Sequence, residues 1–119
     1  FFSDLGDMIR SMSVTVSENE IDTNNIYIDR INYKAIVEGY LESIQDELTS
    51  YEIEWIHLSG IWIIYMQSLR FLTDYLLKDI YYKITYPDQN YDRANNQLTL
   101  LKSLEKMLAD KYALKQVLA

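Results

Sequence analysis

Apolar residues recur at helical spacing in three separate stretches of this chain. The clearest stretch runs from about Arg30 to Leu48, where Asp29 stands in the position of a helix N-cap. Gly39 lies in the middle of this helix at a cost of about 1 kcal/mol relative to alanine, which indicates a close contact with a neighbouring helix. The apolar positions three and four apart form one face: Tyr33, Ile36, Val37, Tyr40, Leu41, Ile44 and Leu48.

A longer helix is predicted from Thr49 to about Lys78. Thr49 and Glu52 have the spacing of a capping box, which favours a helix start at this point. The segment Ile61–Met66 (IWIIYM) is apolar on every face, and its β-branched and aromatic residues would also suit a strand. The apolar pattern continues through Leu69–Leu76 without a breaker, so a helix is favoured. A helix that is apolar all round is expected at the centre of the fold, packed on several sides.

Two further helices flank these. A short first helix is predicted over Leu5–Met12, capped by Ser3 or Asp4. The polar stretch Ser17–Asn25 carries no apolar pattern and is interpreted as a solvated surface loop.

The irregular connector Asp79–Gln89 contains the only proline, Pro87, which cannot continue a helix. A fourth helix is then predicted from Asn90 or Tyr91, with the stripe Ala94, Leu98, Leu101, Leu104, Leu108 and Tyr112. The pattern therefore predicts an all-α fold of about four helices in one domain, residues 1–119, with the Thr49–Lys78 helix central.

Composition supports this fold class and excludes several functions. Three glycines and one proline are too few for the turns of a multi-stranded β fold. A net charge of −7 argues against binding to nucleic acids or to anionic membranes. With no cysteine, disulfides and thiolate chemistry are excluded. The longest nearly apolar run, Leu58–Met66, is about half of what a bilayer span needs. Because no cysteine requires an oxidising compartment and no signal peptide can be read, a cytoplasmic protein is expected.

Few residues offer catalytic or metal-binding chemistry. His57 is the only histidine, and its neighbours favour a partly buried ring or a contact with Glu54. Asp4 and Asp7 could face one cation, but two carboxylates alone make a poor magnesium site, and helix capping is favoured. The glycines are too scattered for a phosphate-cradling loop. No catalytic residue and no metal ligand is therefore predicted in this chain.

The richest polar and aromatic cluster lies around the end of the long predicted helix. Arg70 and Asp74 are one helical turn apart and can form a structural ion pair. Alternatively, the Arg70 guanidinium could donate its fork of hydrogen bonds to a polar ligand. Tyr75, Tyr81 and Tyr82 supply flat faces and hydroxyls, as sugar-binding sites do. The residues leave both interpretations open.

Four motifs in the chain resemble one enzyme family in the same order. They are Asp4-Leu-Gly-Asp-Met-Ile-Arg10, Arg70-Phe-Leu-Thr-Asp-Tyr-Leu76 with Tyr81-Tyr82, Tyr86-Pro87, and Asn90-Tyr-Asp-Arg-Ala-Asn-Asn-Gln97. The chain is similar to the C-terminal helical part of the aminoglycoside phosphotransferase and choline kinase superfamily, especially the N-acetylhexosamine 1-kinase-like members. Many of these relatives carry histidine where this chain has Gln89.

The resemblance implies a piece of a two-lobed, protein-kinase-like enzyme that uses ATP and magnesium. It implies that Arg70 and Tyr81 contact a sugar-like acceptor. The nucleotide loop, its lysine, the catalytic base and the metal aspartate are not among these residues, so the chain alone is expected to be inactive. The chain begins Phe1-Phe2 without methionine, which fits a fragment. Its partner would then be an N-terminal kinase portion, and aromatic surface left exposed could drive self-association. The alternative is a stand-alone helical protein-interaction module.

Overall fold

Four α-helices make up most of the computed structural model, which describes residues 2–44 and 50–112, with side chains for 4–42 and 54–110. These helices are α1 (Phe2–Met12), α2 (Arg30–Ile44), α3 (Ser50–Leu76) and α4 (Gln89–Tyr112), and a short 3-10 helix occupies Thr23–Asn25. Within the described ranges no strand forms, and an isolated antiparallel bridge joins Val14 to Ile28. The predicted all-α fold is confirmed.

The long helix α3 is central, as predicted. It packs along α4 on one side and α1 on another, while α2 contacts α1. Its Ile61–Met66 segment is helical, which rejects the strand alternative. The segment is not enclosed on every side, however, because Trp62 and Met66 remain 52% and 40% exposed. The core between the helices contains Leu5, Ile9, Tyr33, Val37, Ile56, Ile61, Ile64, Leu100, Leu101, Leu104 and Leu108.

Close approach between helices occurs at α1 rather than at α2. A Cβ added to Gly6 would overlap the Ile63 side chain and lie 2.8 Å from the carbonyl oxygen of Ser59, so α1 and α3 touch at this glycine. A Cβ on Gly39, which is exposed, would meet no atom within 4 Å among the residues that the structure describes, so the predicted helix contact there is wrong.

Helix ends match the predictions in part. Asp29 is the N-cap of α2: its Oδ1 accepts hydrogen bonds from the amides of Ile31 and Asn32, both at 3.0 Å. The α1 helix begins at Phe2, before Ser3 and Asp4, so these residues lie inside the helix instead of preceding it. The predicted Thr49 cap lies outside the described residues, as do the end of the predicted second helix and the side chain of Glu52.

The polar segment 17–25 is more than a solvated connector, because α4 binds its backbone. Asn96 donates from Nδ2 to the carbonyl oxygens of Ser17 and Glu20, each at 3.0 Å. Along α4, four residues of the predicted stripe are buried, but Leu98 is exposed, and the side chain of Tyr112 is not among those described. No described helix combines the length and apolar character needed to cross a bilayer.

Candidate functional site: a groove at the end of α3

The chain reverses direction at the end of α3 through a hydrogen-bonded cap. The amide of Asp79 donates to the carbonyl of Asp74 at 2.8 Å, and the amide of Lys78 donates to that of Tyr75 at 3.2 Å. This pattern is a Schellman motif, which requires a left-handed residue after the helix. Lys78 and Asp79 both adopt positive φ, 67° and 61°. The reversal brings the connector back alongside the last turns of α3.

Asp74 anchors the returning connector. Its carboxylate is 4% exposed and accepts hydrogen bonds from the amides of Tyr81 at 2.7 Å and Tyr82 at 2.9 Å. Asn90 Nδ2 donates to the same carboxylate at 2.9 Å. Burial alone would raise the pKa of Asp74, but the backbone amides of residues 80–82 and the Asn90 amide outweigh it and lower the pKa below its ordinary value.

The predicted Arg70–Asp74 ion pair does not form. Asp74 instead accepts hydrogen bonds from backbone amides of the connector, those of Tyr81 and Tyr82. Arg70 is exposed, and its guanidinium makes no ion pair or hydrogen bond with any residue that the structure describes. The structural role predicted for this arginine is therefore wrong.

Arg70 and Tyr81 instead lie on the walls of one open groove of about 640 Å³. The groove is lined along its length by Met66, Leu69, Arg70, Leu77, Tyr81 and Tyr82. The structure thus brings together the two residues for which the sequence suggested a ligand-binding role. The walls combine one cation, two phenol rings and aliphatic surface.

The two groove tyrosines differ in how firmly they are held. Tyr82 packs against Phe71, with ring centroids 4.8 Å apart, and its hydroxyl accepts a hydrogen bond from Gln67 Nε2 at 3.2 Å. Tyr81 meets the Tyr82 ring edge-on at 4.8 Å and is 81% exposed. The rigid ring therefore supports a ring that is open to solvent.

Tyr75 does not belong to the groove, contrary to the predicted cluster. Its hydroxyl donates to Asp88 Oδ1 at 3.2 Å, and its ring packs against Tyr91. The hydrogen bond to Asp88 raises the pKa of Tyr75 because it stabilises the protonated phenol.

A second group of polar residues, on the first turns of α4, supports Asp74 and the connector. Asn90 is fully buried and donates also to Asp79 Oδ1 at 3.0 Å. Arg93 donates to Asn90 Oδ1 at 3.0 Å and to the Lys83 carbonyl at 3.1 Å, and its guanidinium lies over the Phe71 ring. Sequence reasoning missed these roles.

Gln89 also has a structural role. Its Oε1 accepts hydrogen bonds from the amide and hydroxyl of Thr85, at 2.6 and 3.1 Å. Its Nε2 donates to Asn19 Oδ1 at 3.1 Å, which links the connector to the segment 17–25. A signal for this network was available in the sequence, since Gln89, Asn90 and Asn96 are polar residues on a helix that must pack.

The remaining candidate residues lie away from the groove. The sequence left open a partly buried His57 ring or a contact with Glu54, and the structure shows a buried ring with Nδ1 3.2 Å from the hydroxyl of Tyr33 on α2. Burial lowers the pKa of this histidine. Asp4 and Asp7 are exposed, and Asp7 Oδ1 is 3.7 Å from Arg10 Nε. Among the described residues, no three His, Asp or Glu side chains are grouped to hold a metal ion.

Compared with models of known protein families, the chain matches none. Its likeness to the phosphotransferases therefore remains a resemblance of motifs.

Proposed function

We propose that this chain forms the acceptor-binding wall of a small-molecule, ATP-dependent phosphotransferase that acts on a sugar or an aminoglycoside. The observation that carries the proposal is the groove, on which Arg70 and Tyr81 face the same space. The order of the sequence motifs supports it independently.

The groove has the chemistry that a sugar-like acceptor requires. Arg70 offers guanidinium donors that no described carboxylate occupies, and these suit hydroxyl or carbonyl oxygens. Tyr81 offers an exposed ring face and a hydroxyl, while Met66 and Leu69 offer aliphatic surface for C–H groups. A volume of about 640 Å³ lies within the range of about 300–1,000 Å³ typical of small-molecule sites.

The phosphoryl-transfer groups would be supplied by an N-terminal kinase portion. This portion would bring ATP and Mg²⁺, the catalytic base and the phosphate-binding loop, none of which the motifs of this chain provide. The proposed enzyme would work in the cytoplasm, where ATP is available.

Replacement of Arg70 in the enzyme that carries this segment tests the proposal. With N-acetylhexosamine as acceptor, Arg70→Ala should raise the acceptor KM by about one to two decades, since a charged hydrogen bond contributes about 1.5–3 kcal/mol. The KM for ATP should not change. Arg30→Ala, which removes an exposed arginine at the start of α2, is the matched control. Equal losses for ATP and acceptor, or no loss for either, would reject the proposal.

A stand-alone interaction module is the second candidate, and one observation favours it. Trp62, Met66 and Leu69 form an exposed apolar surface along one side of α3, here named the α3 stripe, with exposed fractions of 52%, 40% and 40%. Such a stripe is typical of a helix that docks against another protein surface. In the first proposal, Trp62 would contact the kinase portion, because Met66 and Leu69 line the groove and face the acceptor.

A further inference from the structure

Arg93, on the first turns of α4, acts on the groove from outside it. It belongs to the Asn90–Gln97 motif, whose residues are absent from the lining of the groove. Its Nη1 atom donates to the carbonyl oxygen of Lys83 at 3.1 Å and to Asn90 Oδ1 at 3.0 Å. Its guanidinium carbon lies 5.7 Å from the centre of the Phe71 ring. All three neighbours lead to the tyrosines of the groove wall.

The contact with Asn90 sets the direction of a hydrogen-bond relay. Because Asn90 Oδ1 accepts from Arg93, the Nδ2 donor of the same amide is directed at Asp74, whose Oδ2 it reaches at 2.9 Å. The Asp74 carboxylate then holds the amides of Tyr81 and Tyr82, at 2.7 and 2.9 Å. A flipped Asn90 would place donor against donor at Arg93 and oxygen against oxygen at Asp74. Arg93 therefore selects the orientation that supports the wall.

The other two contacts act on Tyr82. Lys83 directly follows this residue, so the hydrogen bond from Arg93 to the Lys83 carbonyl fixes the connector at the edge of the groove. Phe71 is 1% exposed and packs against both the guanidinium and the Tyr82 ring, whose centre is 4.8 Å from its own. The Tyr82 ring in turn supports the exposed ring of Tyr81 edge-on. Arg93 thus restricts the backbone and the side chain of the residue on which Tyr81 rests.

Asn19, in the segment 17–25, holds the guanidinium in place. Its Oδ1 accepts hydrogen bonds from Arg93 Nε at 2.9 Å and from Gln89 Nε2 at 3.1 Å. Gln89 also accepts from the amide of Thr85 at 2.6 Å, on the same connector. The donors of a guanidinium have fixed directions in one plane, so a hydrogen bond at Nε also restricts where Nη1 points.

We propose that Arg93 is a positioning residue of the acceptor site. Without touching the acceptor, it sets the orientation of the Tyr81 ring through Tyr82, and Asn19 holds it in the position that does so. The inference rests on the proposed function, since it requires the acceptor to bind against Tyr81. Lysine cannot take over this role, because its ammonium lacks the planar fork that addresses three oxygens in fixed directions.

Kinetics of the enzyme that carries this segment test the role. With N-acetylhexosamine as acceptor, Arg93→Lys should raise the acceptor KM about fivefold to tenfold and leave the KM for ATP unchanged. Arg30→Lys, the same substitution at an exposed arginine of α2, is the control and should change neither KM.

A double-mutant cycle shows whether Arg93 acts through Tyr81. In the Tyr81→Ala background the ring to be positioned is gone, so adding Arg93→Lys should raise the acceptor KM by less than about twofold. A role confined to the stability of the fold would not depend on this background. Equal losses with and without Tyr81 would overturn the proposal.

Asn19 supplies a second test that does not require Arg93→Lys to fold, because Asn19 is exposed. Asn19→Leu should raise the acceptor KM about threefold. Asn19→Asp should restore it, since a carboxylate accepts from both donors. Asn24→Leu, at an exposed position of the same segment, is the control.

Arg70→Ala separates this inference from the proposed function. If Arg70→Ala raises the acceptor KM while Asn19→Leu and a folded Arg93→Lys leave it unchanged, the positioning role is wrong and the proposed function stands. If Arg70→Ala has no effect either, the proposed function fails and the positioning role fails with it.

Discussion

Two glycines, Gly6 and Gly39, should respond in opposite ways to the same replacement. Gly6→Ala is expected to destabilise the protein by about 1–3 kcal/mol, because its Cβ would press on Ile63 and on the backbone of α3. Gly39→Ala should stabilise it by about 1 kcal/mol, since the added methyl meets open space and alanine favours the helix. Urea denaturation of both variants measures the change in the free energy of unfolding. If both replacements stabilised the protein, or both destabilised it, the packing of α1 on α3 would be contradicted.

Asp74 should make stability sensitive to acid. Its pKa is lowered in the folded state, so its contribution is present above the unfolded pKa, near 3.8, and is lost as the pH falls through the lower folded value. Asp74→Asn should reduce the free energy of unfolding at neutral pH, because an amide cannot accept all of these hydrogen bonds. It should also flatten the decline of stability below about pH 4.

Unfolding of Asp74→Asn by urea at several pH values between about 2.5 and 7 checks this expectation. Asp110→Asn, at an exposed position of α4, should keep the acid-dependent decline of the unaltered chain. A decline as steep in Asp74→Asn as in the control would show that other carboxylates cause it.

The end of α3 contains a backbone strain that a single substitution should relieve. Lys78 occupies the left-handed position of the cap with φ 67°, where glycine has no Cβ penalty. Lys78→Gly should therefore raise the free energy of unfolding by about 1 kcal/mol. Lys106→Gly, inside α4, should lower it by about the same amount. Thermal denaturation of the two variants tests the cap directly. If Lys78→Gly destabilised the protein, the left-handed cap at this position would be contradicted.

The periodicity of apolar residues was sufficient to predict the helices, because each helix buries a face formed by residues three and four positions apart in the sequence. Asp29 could be identified as a cap for the same reason, since its partners are only two and three residues away. The exposed side of α3 could not be predicted. Trp62 and Met66 are residue types usually buried in a core, and their exposure depends on which surfaces the other helices leave uncovered.

The sequence was sufficient to identify Arg70 and Tyr81 as groove residues, but it did not predict the hydrogen bonds of Asp74 that shape the groove. Spacing alone placed Arg70 beside Asp74, yet the carboxylate is occupied by the amides of Tyr81 and Tyr82, seven and eight residues away. That outcome depends on the chain reversal at Lys78, where a lysine adopts a conformation usually taken by glycine. Local pairing rules therefore gave the wrong partner for Asp74, and Arg70 makes no ion pair with any described carboxylate.

For the whole molecule, the α3 stripe predicts association. Heterogeneous, concentration-dependent self-association in sedimentation velocity would indicate that the stripe normally contacts another part of a larger enzyme. A monomer, or a single symmetric dimer, would favour the interaction module. Trp62→Gln should weaken any association, whereas Ile31→Gln, which removes an equally apolar exposed residue from α2, should not. Association that Ile31→Gln alone disrupts would reject the stripe as the contact.

The hydrogen bonds between the segment 17–25 and α4 have a consequence for the order of folding. Asn19 accepts from Arg93 Nε at 2.9 Å, 74 positions further along the chain, and Asn96 reaches back 79 positions to Ser17. Contacts so distant in sequence form late, because the loop they close must lose its entropy first. The helical hairpin of α3 and α4, by contrast, is joined by a short connector and can assemble early. The polar segment near the start of the chain can form its local turns early, but we expect it to dock on α4 late, after residues near the end of the chain have folded.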